Sequence, residues 1–424
     1  MTDSSKRILP GYYKLITAIV SSYDNQKRAE ISNLIHSFSI EESLDNDSIR
    51  GMVSLYDAAG FLENFPIRGE EHFVMEIEDA LNIKRTYHFN IYKVNNVNVK
   101  NSNDGLIYDM YFTSKWRFEA GKHRITLFFD NPIHVIASLI FDQYYPEGKK
   151  LIKEETDGTF RCIIPNYTPM QAMNFLALRA YSQRSPSCSF RFFENASNFF
   201  FVSDEFLIRK AQENPNEIKE FTYSDALEKS GSEFYEQMRN IVTLENTNRI
   251  NTMLDLYSGA YTSKVIEIDL VKKVVENKLY RYDRSRYIAM SGPNAQDVHS
   301  EQFINDYFTE ENARTYIVVK DYSSVGDIPS NIRSEQYLSE IVQNRIAYRH
   351  HLNNTVVHVK INGRFDLKVG DVISLKIPNF SAAGSRKEEN KQLSGKYLLN
   401  DCKNVFINDT HQTMLKLIKY DWSD

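Results

Sequence analysis

The run His72–Glu78, HFVMEIE, places Phe73, Met75 and Ile77 on one side and His72, Glu76 and Glu78 on the other. Only a strand with one wet face and one buried face rewards a two-residue period. The pattern recurs through the first third of the chain. Thr86–Tyr92 sets Tyr87, Phe89 and Ile91 on one side, and Ile107–Trp116 does the same with Tyr108, Met110 and Phe112. Upstream, Ile35, Phe38 and Ile40 lead into Glu41-Glu42, where Asp45, Asn46 and Asp47 supply turn chemistry. Gly51 then opens the apolar run Met52–Tyr56, which stops at Asp57. Tyr12–Tyr23 and Glu30–Ile40 add strands on either side of a polar DNQKRA turn. From Tyr12 to about Phe129 these segments predict a small, twisted antiparallel barrel. The asparagine-rich Val94–Asp104, closed by Gly105, predicts a long hairpin tip.

The period changes at Asn131-Pro132, a cap and a first-turn proline. Ile133, Ile136, Ala137, Ile140 and Phe141 then form one helical stripe, which Pro146-Glu147-Gly148 ends. A second helix follows Thr168-Pro169, with Gln171 placed to complete a capping box and Met173, Leu176, Ala177, Ala180 and Tyr181 inward. Ser187–Arg191 and Asn198–Ser203 predict a hairpin turning at Asn195–Ser197. Met238–Glu245 reads as extended. Asn246–Gly259 reads as a helix, with Ile250, Met253, Leu254 and Tyr257 on one face and Gly259 as its stop. Tyr261–Leu270 is a strand with Ile266, Ile268 and Leu270 on one side, and the polar, aromatic stretch 280–300 is a break. Strand Thr315–Lys320 follows, then a helix after Pro329 with Leu338, Ile341, Val342 and Ile346 on a common face. The C-terminus returns to strands at Val356–Ile361, around KVGDVISLKI, at Gly395–Asn404 and at Thr413–Tyr420. Gly370-Asp371 precedes its alternating strand as Gly69-Glu70 precedes HFVMEI, a short echo between the two ends of the chain.

At 424 residues the chain predicts two to four domains. Its 26 Tyr and 26 Phe, against 16 Gly and 11 Pro, favour half-buried pleated surfaces and interfaces. The net charge of -5 disfavours stable nucleic-acid binding through counterion release. Cys162, Cys188 and Cys402 match no zinc or disulfide spacing and read as buried thiols. Leu15–Val20 is too short and too polar for a signal sequence, so folding in cytoplasm is expected. No phosphate loop, dinucleotide turn, HExxH or GxSxG is present. His350 and His351 are adjacent on a helix, hence about 100° apart, and cannot converge on one metal. They read as solvated or helix-terminal residues. No catalytic, cofactor-binding or metal residue is expected. Paired carboxylates of a hydrolase remain open, because sequence does not give their separation.

Two runs carry a resemblance. EESLDNDSIRGMVSLYDAAGF with GEEHFVMEI near the N-terminus, and INGRFDLKVGDVISLKIPN with LSGKYLLNDCKNVFINDTHQTMLKLIKYD at the C-terminus, resemble the central baseplate hub proteins of contractile-tailed bacteriophages. GAYTSKVIEIDLVKK (259–273) is a fainter third match. The resemblance implies a mainly β chain with α+β insertions, whose two tube-like barrels arose by duplication and whose copies close into a ring. It assigns 11–130 to the first barrel, 131–235 to an α+β domain, and 236–280 with 350–424 to a discontinuous second barrel. Residues 281–349 would be an inserted helical or α+β segment.

The resemblance further implies a non-enzymatic homotrimer in the virion tail, without cofactors. It would adapt a six-fold tube to a three-fold spike and let DNA pass. Its partners would be the central spike or tail lysozyme, tube or tube-adaptor proteins, and a tape-measure protein. Asn95, Asn96, Asn98, Lys100, Asn101, Asn103, Arg386 and Lys387 are the expected inter-subunit or partner loops. A cell-wall hydrolase and a glycan-binding tail protein, the latter using Tyr280, Tyr282 and Tyr287, are the alternatives.

Overall fold

The computed structural model describes residues 9–65, 67–99, 105–185, 188–224, 233–248, 250–270, 273–281, 283, 299–319, 338–353, 355–379 and 388–422. The mainly β class with helical insertions is borne out. Among the described residues one sheet of 13 strands dominates, beside one two-stranded and two three-stranded sheets. The 13-stranded sheet contains two barrels, whose principal strands are numbered here in chain order.

The first barrel uses β1 (Tyr13–Ser21), β2 (Ile35–Ser43), β3 (Arg50–Asp57), β4 (His72–Asp79), β5 (Lys84–Val99) and β6 (Leu106–Ser114). The short strand Arg28–Glu30 extends its β1 edge. Its core holds the side chains that the alternation pointed inward: Phe38, Ile40, Phe73, Met75, Ile77, Tyr108, Met110 and Phe112. Burying each phenylalanine contributes roughly 2–3 kcal/mol. The second barrel uses β7 (Lys219–Thr222), β8 (Ile241–Asn248), β9 (Val356–Asn362), β10 (Val372–Lys376), β11 (Gly395–Ile407) and β12 (Thr410–Trp422).

The two barrels have the same spatial order. The first runs β2-β3-β6-β5-β4-β1 and the second β8-β9-β12-β11-β10-β7, so each strand corresponds to the one six places later. Finer details repeat as well. The β5–β6 ladder slips between Ile91 and Lys93, and the β11–β12 ladder slips between Leu399 and Asp401. The Ile91 amide donates to the Glu71 carbonyl as the Leu399 amide donates to that of Asp371. The glycine-acid echo falls at the entry to both β4 and β10 but one residue out of step, since the ladders make Asp371 the counterpart of Glu71 and Gly370 that of Glu70. There Gly69 and Gly370 adopt φ of 88° and 91°, a region that L side chains avoid. One strand departs: β1 runs antiparallel to β4, whereas β7 runs parallel to β10.

Four expectations are corrected. Of 236–280, only β8 joins the second barrel. Thr262–Asp269 pairs instead with Val274–Arg281 and Arg314–Val319 in a separate sheet, and β7, from the expected α+β domain, completes the barrel. Alternation specifies a strand's faces and leaves its neighbours open, so the sequence did not decide between these sheets. The segment before Asn240 is a helical turn, Phe234–Arg239. Asn131 ends a strand, and Pro132 itself occupies the cap position of helix Ile133–Tyr144. The stripe of that helix is buried as read, and the capping box of Thr168 and Gln171 is formed.

The fourth correction concerns two helices. Helix Thr252–Ser258 ends at Gly259 in a left-handed cap, but its apolar stripe faces out while Asp255 is 1% exposed. His351 is buried, packing edge-on to Tyr261. The His350 ring lies 3.2 Å from the Asp255 carboxylate, and His299 lies 3.3 Å from its other oxygen. The acid thus draws this face of the helix inward and turns the apolar face to water.

Candidate assembly interface

Within one chain the barrels already make the kind of joint that an assembly needs. β2 pairs with the second half of β11, from Ser43 opposite Asp401 to Ser37 opposite Ile407. The tip of the β11–β12 hairpin then reaches the far edge of the first barrel, where Tyr12 bridges Thr410 and the His411 amide donates to the Gly11 carbonyl. Phe406 enters the first barrel's core with Phe365. It stacks on Phe38 at 4.1 Å and on His411 at 4.2 Å.

His411 is buried, its Nε2 2.8 Å from Asn404 Oδ1, and burial with Arg85 nearby pulls its pKa down to about 3. Gly363 lies against this ring: a Cβ there would fall 2.0 Å from His411 Cγ.

Buried charge holds the joint in register. Arg85 of β5 donates to the carbonyls of Phe365 and Leu367, and to Glu42 at 3.3 Å. Burial disfavours its charge, but Tyr87 and Glu42 outweigh that. Asp79 accepts from the amides of Leu81, Ile83 and Phe365, and its burial raises its pKa. The α+β block is tied on by Glu194, which accepts from the Ile49 amide, Ser114 Oγ and Lys149 Nζ. Burial pushes that carboxyl up in spite of the lysine. Arg191 bridges Asp45 at 2.6 Å and Asp204 at 2.7 Å. Charges this deeply buried cost several kcal/mol when one partner is removed. None of these networks was legible in the sequence, because the contacts that join one element to another, such as Asp79 to Phe365 and Glu194 to Ile49, lie far apart in the chain.

Helix Leu338–Asn353 joins the remaining parts. Tyr348 and Leu352 enter the second barrel's core. Arg345 donates to the carbonyls of Cys188 at 2.9 Å and of Leu178 in the α+β block. Gln343 donates to the carbonyl of Ser263 in the separate sheet at 3.3 Å.

The expected loop residues are placed as follows. Asn95, Asn96 and Asn98 lie on β5 rather than in a loop, with Asn95 opposite Asp109 and Asn98 opposite Ile107. The strands continue to Val99 and Leu106, so the hairpin tip is shorter than read. Asn95 is exposed. Lys100, Asn101, Asn103, Arg386 and Lys387 lie outside the described residues, as do Tyr282 and Tyr287. Tyr280 is half-buried.

A groove of about 510 Å³ opens between β7, helix Asp204–Glu213 and the loop before β10. Its Asp371 caps the Lys368 amide, and burial raises its pKa. Burial opposes the charge of its Asp366, but hydrogen bonds from Arg364 and the nearby Lys219 prevail and lower the pKa. Both carboxylates are thus engaged in holding loops. Among the described residues no group of three or more His, Cys, Asp or Glu side chains is arranged to hold a metal.

Two like barrels joined through a shared sheet, with an α+β block pinned beside them, make a fold that this chain shares with phage tail proteins of known structure. The tail protein from Neisseria meningitidis MC58 shares it with a TM-score of 0.56 at 10% identity, over 96% of this chain and 97% of that one. The 43 kDa tail protein of prophage MuSo2 from Shewanella oneidensis does so with 0.53 at 9% identity, over 95% and 98%. No protein-family model and no curated protein matches the chain. The resemblance to the baseplate hub proteins of contractile-tailed phages, read from the two terminal runs, is thus borne out at the level of the fold.

Proposed function

We propose that this chain is a structural subunit of a phage tail, the hub of its baseplate, and that three copies close into a ring. The repeated strand order carries this reading. A chain that presents two like barrels side by side supplies two quasi-equivalent positions, so three chains supply six. Such a ring meets a six-fold tube on one face and a three-fold spike on the other. Its partners are then a spike or tail-lysozyme protein, tube or adaptor proteins and a tape-measure protein, with DNA crossing the centre. The role is mechanical, in the virion tail, and the buried carboxylates serve structure.

The solution mass of the purified chain, alone and with a spike protein, tests this, followed by negative-stain images. The expected result is a trimer with a central hole wide enough for duplex DNA. A monomer under both conditions overturns the ring. Lysis of purified peptidoglycan would support a cell-wall hydrolase instead, and glycan binding by a monomer would support the third alternative.

A further inference from the structure

The joint inside the chain has a free counterpart at each end. β2 pairs with the second half of β11, and the equivalent strands are β8 and the second half of β5. Among the described residues β8 pairs in its ladder only with β9, and its other edge, past the bridge from Asn240 to Thr222 of β7 at its entry, is open. On β5, the ladder to β4 covers Lys84–Asn90, the Gly69 turn lies beside the Tyr92 backbone, and among the described residues no strand pairs with that side from Lys93 to Val99. Open strand edges are templates for pairing.

We propose that copies of this chain join by repeating the internal seam: β8 of one copy pairs antiparallel with the Tyr92–Val99 half of β5 in the next. This rests on the ring reading and specifies its contacts. The register follows from the two ladders. Leu399 corresponds to Ile91 and Leu417 to Phe112 through the shared slip. Ser39, opposite Val405 within the chain, then corresponds to Glu245. Val405, opposite Gln412, corresponds to Asn98, opposite Ile107, because β5 slips a second time between Asn95 and Asn98 where β11 does not. Glu245 therefore stands opposite Asn98 of the next copy.

An apolar surface continues the same seam. Within the chain, Leu44 follows β2, donates its amide to the Asn400 carbonyl, and is buried in the second barrel's core. Its counterpart after β8 falls within one residue of Ile250. That residue is 55% exposed in the single chain and begins the outward stripe of Met253, Leu254 and Tyr257, exposed by 56%, 49% and 63%. Asn400 corresponds to Tyr92, which is 47% exposed. A contiguous apolar stripe in water marks a contact surface, and the occupant that the internal seam supplies is the first barrel of a second copy, around Tyr92. The contact is heterologous, which is what a closing ring requires.

Cysteines test the seam. In an antiparallel pair the Cα atoms lie about 4.5–5.5 Å apart, within disulfide range, and the native Cys162, Cys188 and Cys402 are buried. Glu245→Cys with Asn98→Cys, oxidised at micromolar concentration, should give a closed covalent trimer, and neither single variant should cross-link. A trimer by mass whose double variant does not cross-link overturns the seam and leaves the ring standing. Cross-links that climb past three chains without closing keep the seam and remove the ring. A monomer that never cross-links removes both.

Ile250→Glu and Met253→Glu should each raise the concentration for half-assembly at least tenfold. Ile163→Glu, exposed on the α+β block, should not. Unchanged assembly in the first two takes the stripe out of the interface.

Discussion

Gly363 and His411 show how much of the internal joint rests on single side chains. The imidazole fills the space that any Cβ at 363 would need, so Gly363→Ala must displace the ring from Phe406 and Asn404. Overpacking of this kind costs about 1–3 kcal/mol, and a lower thermal midpoint with a weakened barrel–barrel contact is the expected result. An unchanged midpoint would mean that the ring moves aside freely. His411 and His351 also set a pH dependence. Both have folded pKa values of about 3, below the ordinary 6.5, with burial the leading cause. The unfolded chain therefore takes up these protons first as the pH falls. Their contribution is fully present above about pH 6.5 and drains away toward pH 3. Urea midpoints should fall between pH 7.5 and pH 5, and less steeply in His411→Gln. None of this was legible beforehand. A histidine's burial depends on what folds over it. His351 read as solvated or helix-terminal, and it does lie in the last turn of its helix, but the ring that covers it comes from another element.

At the scale of elements, periodicity gave strand faces and helix stripes well, because burial selects for them locally. Phe73, Met75 and Ile77, and the stripe from Ile133 to Phe141, fell where the pattern put them. Pairing partners were less accessible. Thr262–Asp269 alternates as well as any barrel strand, and only the path of the chain sends it to another sheet. The stripe of Ile250 and Met253 was also read correctly as a stripe, but a pattern shows that a face is apolar and leaves open which molecule covers it. Helix Leu338–Asn353 read as carrying one aliphatic face, and Ile341 of that face is buried, but so are Gln343, Asn344, Arg345 and His351. It works as a polar pin. Arg345, its charge opposed by burial and its pKa lowered to about 10, holds backbone carbonyls rather than an acid. Arg345→Met should cost on the order of 3 kcal/mol, since buried acceptors left unpaired cost about 1–3 kcal/mol each. The loss should show as faster amide exchange in 338–353 than in the barrels, and uniform exchange would argue against a pin.

For the whole molecule, the shared sheet determines what an assembled ring would offer to DNA. Eight strands, β8-β9-β12-β11-β2-β3-β6-β5, run side by side without a break, and their faces away from the barrel cores form one surface. Its charges are interleaved. Glu41 lies 3.2 Å from Arg50 and opposite Lys403, Lys416 lies 3.6 Å from Asp401, and Lys93 sits over the Tyr111 ring. If seams between copies repeat the internal one, this surface continues around the ring, with its charge near balance throughout. A wall of that kind has few unpaired cations to release counterions, so it should pass duplex DNA without holding it. Duplex binding by the assembled protein should accordingly be weak at 50 mM salt. It should change little by 200 mM, where a wall making 6–10 phosphate contacts would lose about 10³–10⁵ in affinity. Lys403→Glu should leave this unchanged. Tight, steeply salt-dependent binding would place a basic surface at the centre and exclude this sheet as the lining of a DNA channel.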